Sequence, residues 1–189
     1  MKKTILTFLA TFLLFFNATS QEQDLQKLFK ADFNFLGIGL SYELPISKKW
    51  TVDFSTGFGG GYRVDDGFAA EWILNSTPAT YFKSEFKYYN NREKRFQKGR
   101  DNSNNSGNYW AFQTKFASQR LSESDNFVPL NNVLLNEIHW GLQRSLGGNW
   151  LFNTHFGLGL AADFNYDTFT LYPAIGIKFS HILFKKQKQ

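Results

Sequence analysis

The sequence predicts an all-β protein, a closed antiparallel transmembrane β-barrel of eight strands. Three observations predict it. Apolar residues recur at every second position through most of the chain. The run from Trp50 to Arg63 sets Trp50, Val52, Phe54, Thr56, Phe58 and Tyr62 against Thr51, Asp53, Ser55, Gly57, Gly59, Gly61 and Arg63. Period two marks a strand with one apolar face, and this run is ample for the ~9–11 residues that cross a bilayer. Second, the chain opens on an export signal. Third, 22 Phe and an aromatic content of 19% coexist with a mean hydropathy of −0.36. Abundant aromatics spaced by polar residues suit strands with a single lipid-facing side.

Met1-Lys2-Lys3 is a short cationic start, Ile5 to Phe16 is apolar apart from threonines, and Asn17-Ala18-Thr19-Ser20 supplies small residues. That layout predicts a cleavable signal over 1–20, cut between Ser20 and Gln21, and a barrel domain over 21–189. A membrane-anchoring helix is the plainer alternative, but it needs ~20 apolar residues. The sequence has no cysteine, which excludes disulfides, thiolate metal sites and a lipid-modified N-terminal cysteine. The formal charge of +5 falls to +3 when Lys2 and Lys3 leave with the signal; that is mild, and no nucleic-acid partner is expected.

Seven strands follow in order. Leu36, Ile38, Leu40, Tyr42 and Leu44 alternate with Gly37, Gly39, Ser41 and Glu43, and 45–49 turns into the strand from Trp50. The third spans 79–90, with Phe82, Phe86 and Tyr88 against Lys83, Glu85 and Lys87. In the fourth, 108–118, Trp110, Phe112 and Phe116 oppose Gln113 and Lys115. In the fifth, 132–144, Leu134, Ile138, Trp140 and Leu142 oppose Glu137, His139 and Gln143. Gly147-Gly148-Asn149 is a tight-turn signal. Beyond it Trp150, Phe152, Phe156, Leu158 and Leu160 oppose Asn153, His155, Gly157, Gly159 and Asp163. The last, 169–184, sets Leu171, Ile175, Ile177 and Phe179 against Tyr172, Gly176, Lys178 and Ser180.

Cost assigns the faces. A charge facing lipid at mid-membrane costs up to ~2–4 kcal/mol, so the apolar face is expected outside and the charged one inside. A water-soluble ligand-binding barrel alternates too, but with its apolar face inward. It would then carry Gly57, Gly59 and Gly61 on the solvent side, where glycine only weakens a strand. Short connections at 45–49 and 145–149 contrast with longer polar ones at 63–78 and 119–131, the arrangement of periplasmic turns and external loops. Even strand number then calls for one more strand at 24–34, which alternates poorly. The competing possibility is regular structure over 67–75.

The expected interior polar cluster is Glu43, Asp53, Lys83, Glu85, Lys115, Glu137, His139, His155 and Lys178. A permeation path or a small-ligand site is one reading. The plainer one is a paired, hydrogen-bonded filling, because an eight-stranded interior is just wide enough for side chains. His139, His155 and Ser180-His181 invite a catalytic reading. Neighbouring strand residues point to opposite faces, however, so Ser180 and His181 form no nucleophile–base pair. His139 and His155 with Glu137 near them carry metal-ligand chemistry, at a spacing that is not diagnostic. No catalytic residue, cofactor or metal is assigned, and no enzyme is expected.

Trp50, Trp110 and Trp150 follow short-side turns and are expected to form a girdle at one membrane rim, with Tyr62 towards the other. Arg92, Lys94, Arg95, Lys98 and Arg100, followed by an Asn/Ser/Gly tract, read as a solvated turn, against an anion-attracting patch. Phe68, Trp72 and Ile73 in the longer loop are candidate external contacts, against an ordered lid on the barrel mouth.

Tyr42-Glu-Leu-Pro-Ile-Ser-Lys-Lys-Trp50, Tyr88-Tyr-Asn-Asn-Arg-Glu-Lys-Arg95, Lys98-Gly-Arg and Asn104-Asn-Ser-Gly-Asn-Tyr109 together resemble small outer-membrane β-barrel proteins of Bacteroidota-type Gram-negative bacteria. The resemblance runs over nearly all of 21–189, and its motifs are architectural. It implies an outer-membrane location and insertion by the barrel-assembly machinery, and no substrate. Many such barrels finish at a terminal aromatic, whereas this chain continues past Phe184 with Lys-Lys-Gln-Lys-Gln189. The expected role is structural or interactive, through external loops meeting an unknown extracellular or periplasmic partner, in contact with outer-membrane lipid. A narrow channel or small-ligand transporter, and a lipid-modifying enzyme, stay open beside it.

Overall fold

Alternation at period two leaves every strand with one face to bury and one to show, and here eight strands bury theirs together by closing a ring. In a computed structural model, residues 24–35, 37–65, 69–73, 78–120, 130–164 and 168–187 are described. The strands are β1 (Gln26–Asn34), β2 (Gly37–Pro45), β3 (Trp50–Gly59), β4 (Gly61–Asp65), β5 (Ala69–Ile73), β6 (Ala79–Tyr89), β7 (Gly107–Arg120), β8 (Val133–Gly147), β9 (Trp150–Asp163) and β10 (Thr168–Gln187). The ring runs β1-β10-β9-β8-β7-β6-β3-β2, antiparallel throughout, and β1 closes it by pairing with both β2 and β10. The fold is therefore the closed eight-stranded antiparallel barrel that the patterning predicts.

The eighth strand is β1, in the segment whose alternation is poorest. Its inward residues are Leu28, Lys30 and Asp32, and its outward ones include Phe29 and Phe33. The chain beyond Phe184 is not a loose tail: Lys185, Lys186 and Gln187 pair with Leu28, Lys27 and Gln26. A bulge at Leu183 leaves both it and Phe184 exposed on the outer wall, as one extra residue in a strand does.

Two readings change. The alternation from Trp50 to Arg63 is not one strand: β3 stops at Gly59, and β4 leaves the ring to pair with β5. Regular structure within 67–75 is thus present as well as β1. The segment over 90–106 is not a solvated turn. It holds α1 (Arg92–Gln97) and a 3₁₀ turn (Ser103–Asn105), and Arg92, Asn102, Asn104, Asn105 and Ser106 are buried.

The wall is apolar outside and polar inside. Leu158 and Ile138 are 70% and 63% exposed, and Phe54, Phe82, Phe112, Phe156 and Leu171 stand out similarly, whereas Lys30 and Asp53 are 1% and 0% exposed. Apolar side chains also enter the interior at both ends: Leu28, Leu151 and Ile182 at the end holding the short turns, Val133, Leu135 and Tyr172 towards the other. Inward glycines make room for rings. A Cβ on Gly159 would lie 2.3 Å from Cζ of Tyr172, and one on Gly39 2.3 Å from the Tyr81 hydroxyl.

Candidate functional site

The interior splits into two polar layers. In the layer nearer the short turns, Lys30 from β1 donates to Glu43 Oε2 at 3.0 Å and to Asp53 Oδ2 at 2.6 Å. Lys87 from β6 reaches Asp53 at 3.4 Å. Glu43 also accepts from Thr51, from the Tyr89 hydroxyl at 2.9 Å and from Gln143. Every oxygen of Glu43 is thereby satisfied, as burial of a charge requires. Beside this layer, Asp32 accepts from Lys178 of β10 at 3.1 Å and from the Ser180 hydroxyl at 2.6 Å.

The second layer is built by β6, β8 and β9. Glu137, His139 and Glu85 share a level because β8 pairs with β9 and β7, and β6 lies beyond β7. His139 Nε2 lies 3.2 Å from Glu85 Oε1, and its ring stacks on that of His155 with centroids 4.1 Å apart. Glu137 accepts from the Tyr172 hydroxyl at 2.6 Å and from Gln113 at 2.8 Å. Lys83 lies 3.5 Å from Glu85, and Lys115 lies over the Tyr81 ring at 4.7 Å. A cavity of about 100 Å³ remains beside His155 and Glu137, lined also by Phe35 and Gly59.

Glu43, Asp53, Lys83, Glu85, Lys115, Glu137, His139, His155 and Lys178 thus all occupy the inner face, and the structure brings them into these layers. Lys30 and Asp32 complete the charge balance yet lie outside the set drawn from the sequence. Their signal was available: two polar residues two apart, on the parity opposite Phe29 and Phe33. Tyr172 stands on the inner parity in the sequence reading as it does in the structure, whereas Tyr89 and Tyr109 were missed for a different reason. A tyrosine on the inner parity looks like wall until the glycine opposite it is known.

Below the first layer, the segment after α1 folds into the barrel end. Asn105 clasps β1 at both backbone groups of Gln26, accepting from its N–H at 2.7 Å and donating to its carbonyl at 2.9 Å. The Asn104 carbonyl accepts from Gln143 at 3.1 Å, and its side chain reaches Ser145 and Gly148. Both asparagines hold φ near +50 to +60° (52° and 58°), which asparagine tolerates better than most residues. Arg92 donates to the carbonyls of Asn102 and Ser106. The basic run therefore divides: Arg92 and Arg95 build the plug, while Lys94, Lys98 and Arg100 face outward. Partial burial, reinforced by Arg100, draws the Arg95 guanidinium below its ordinary pKa.

Trp50, Trp110 and Trp150 all point outward within the first four residues of β3, β7 and β9, at 45%, 53% and 44% exposure. Tyr62 does not continue that wall; its backbone is in β4, opposite Trp72. Of the candidate external contacts, Phe68 lies outside the described residues, and Trp72 and Ile73 are described by backbone alone, in β5. Residues 121–129 of the other long connection also lie outside. β4 leaves β3 and yet approaches β9 and β10. In the ring β9 stands diametrically opposite β3, so the hairpin crosses the mouth. Leu130 packs beneath it against Gly61.

Compared with protein-family models, curated proteins and solved structures, the chain matches none.

Proposed function

We propose that this chain is an integral outer-membrane barrel, exported with loss of residues 1–20 and inserted by the barrel-assembly machinery. Its wall sits in lipid, its interior is closed, and its mouth hairpin serves as a surface for a partner outside. The observation that carries this reading is the inverted distribution of polarity. A barrel in water hides its apolar residues in the middle. This one holds ion pairs there and turns Phe54, Phe82, Phe112, Phe156 and Leu158 outward. Burying apolar area from water is worth roughly 25 cal/mol per Å², so such a wall favours a hydrocarbon surround on every side. Outward tryptophans near one end suit the headgroup level, and the resemblance to small Bacteroidota-type barrels supports the same location.

Cell fractionation with unboiled gel electrophoresis tests it. The expected result is recovery in the outer-membrane fraction, with a mobility that changes on boiling. Recovery in the soluble periplasm without detergent overturns it. A channel is disfavoured by the Asn104–Asn105 plug and the ion-paired layer above it, so single-channel recordings in a planar bilayer are expected to be silent. A serine hydrolase is disfavoured too. Ser180 donates its hydroxyl proton to Asp32, while His181 packs on the outer wall against Trp150.

A further inference from the structure

We infer that Glu137, His139 and His155 form a binding site for a single divalent late transition-metal ion, zinc being the natural probe. The three side chains offer one carboxylate oxygen and two imidazole nitrogens, all within 4.8 Å of one another. His139 Nδ1 lies 3.5 Å and His155 Nε2 3.6 Å from the same oxygen, Glu137 Oε2. With metal–ligand bonds of ~2.0–2.2 Å, donors on a tetrahedral ion stand roughly 3.3–3.6 Å apart. Two of the three edges already have that length.

A second observation points to a ligand independently of that spacing. His139 is fully buried, and its Nδ1 has no hydrogen-bond partner. Buried polar atoms are nearly always paired, and an orphan calls for an explanation such as an ion. One ring proton is placed by its neighbour. Glu85 carboxylate only accepts, so the 3.2 Å contact to His139 Nε2 puts a proton on that nitrogen and turns Nδ1 towards Glu137 Oε2; a proton lying between Nδ1 and that oxygen is released when an ion takes its place. A carboxylate behind a ligating imidazole is the usual outer support of a metal site. Glu137 is likewise held, by Tyr172 and Gln113.

His155 supplies the moving part. Its ring occupies the space left by Gly176, whose Cβ would lie 2.2 Å from the ring Cε1. It also borders the cavity, whose lining runs on to Phe35, Gly59 and Gly60 at the mouth end. Metal binding turns this ring out of its stack on His139 so that both lone pairs converge, and the cavity has volume for a water as fourth ligand. The charges nearby are compatible. Lys83 and Lys87 both lie close to Glu85 and offset its charge. Two imidazoles with a carboxylate and an open position select zinc, copper(II), nickel or cobalt over magnesium or calcium. The site belongs to the barrel interior and does not depend on what surrounds the wall.

The test is titration of the refolded, chelator-stripped full barrel in detergent with ZnCl2 by calorimetry, and with CoCl2 by visible absorption. One ion per chain is expected, with cobalt bands of tetrahedral type. His155→Phe keeps a ring in the Gly176 slot and is expected to abolish binding. Glu85→Gln, which touches no metal, is expected to weaken it roughly 10–100-fold, the usual effect of losing an outer support. His181→Ala, on the outer wall, is expected to leave it unchanged. Heat-modifiable mobility certifies that each variant is folded. A folded wild-type barrel that takes up no zinc, or a folded His155→Phe that binds as well as wild type, overturns the inference.

Discussion

Lys30 bridges two fully buried carboxylates, Glu43 and Asp53. Removing it leaves Glu43 and Asp53 facing Lys87 alone, and an uncompensated buried charge of this kind costs about 3–5 kcal/mol. Lys30→Met, close in length and apolar, is therefore expected to lower the unfolding free energy by that amount in a urea titration of the refolded barrel; a change under ~1 kcal/mol contradicts the network. Gly159 makes a steric prediction. A methyl group there would meet Tyr172 at 2.3 Å, displacing a hydroxyl that bonds Glu137 at 2.6 Å. Gly159→Ala is expected to destabilise by ~1–3 kcal/mol, as overpacking does. Gly159→Ala is also expected to cost much less in a Tyr172→Ala background, and additive losses in that double-mutant cycle reject the clash. Glu43, Asp53 and Glu137 were legible in the sequence because each lies on the parity opposite a row of large apolar side chains. Lys30 was not, because its strand shows Lys27 on the outer parity and Leu28 on the inner one, and that mixture hides the period.

The connection between β6 and β7 has the composition of a solvated loop and the behaviour of a stopper. Asparagine and serine are ambiguous at the level of sequence: they hydrogen-bond water or backbone equally well, and only the free edge of β1 decides between them. Asn105 binds both backbone groups of Gln26, on the side of β1 where the ladder to β2 stops at Leu28. Asn105→Gly keeps the left-handed backbone at no steric cost but removes the amide. Two lost bonds of ~0.5–1.5 kcal/mol each predict faster hydrogen exchange at the Gln26 amide, with the mid-strand amides of β8 and β9 unchanged. Unaltered exchange at Gln26 rejects the clasp. The boundary between β3 and β4 was hidden for another reason. Alternation runs through Gly57, Gly59 and Gly61 without a break, and what separates wall from hairpin is Gly60, where the ladder to β6 ends. Seven strands were legible because lipid-facing and inward residues differ so sharply in type. The eighth followed from even strand number and not from its own alternation, and the hairpin was offered only as a competing possibility, because their pairing partners, rather than their own residues, determine their place.

An apolar wall around a charged interior makes the medium part of the fold, and this can be measured by moving one charge along the wall. Leu158 lies mid-strand in β9, opposite Ile138 of β8, and is 70% exposed; Trp150 begins the same strand at 44%. If water surrounded the wall, lysine at Leu158 would be an ordinary surface substitution, worth within about ±0.5 kcal/mol. In a bilayer it is expected to cost ~2–4 kcal/mol at mid-depth, and the same lysine near the rim only ~0–1 kcal/mol. Folding free energies of Leu158→Lys and Trp150→Lys in phospholipid vesicles are therefore expected to differ in that order, the gap narrowing in detergent, where water reaches the wall more easily. Neither variant touches the interior, so the plug and both polar layers serve as their own control through unchanged unboiled mobility. Equal costs at the two positions would remove the lipid surround from this barrel and return its outward phenylalanines to some other cover.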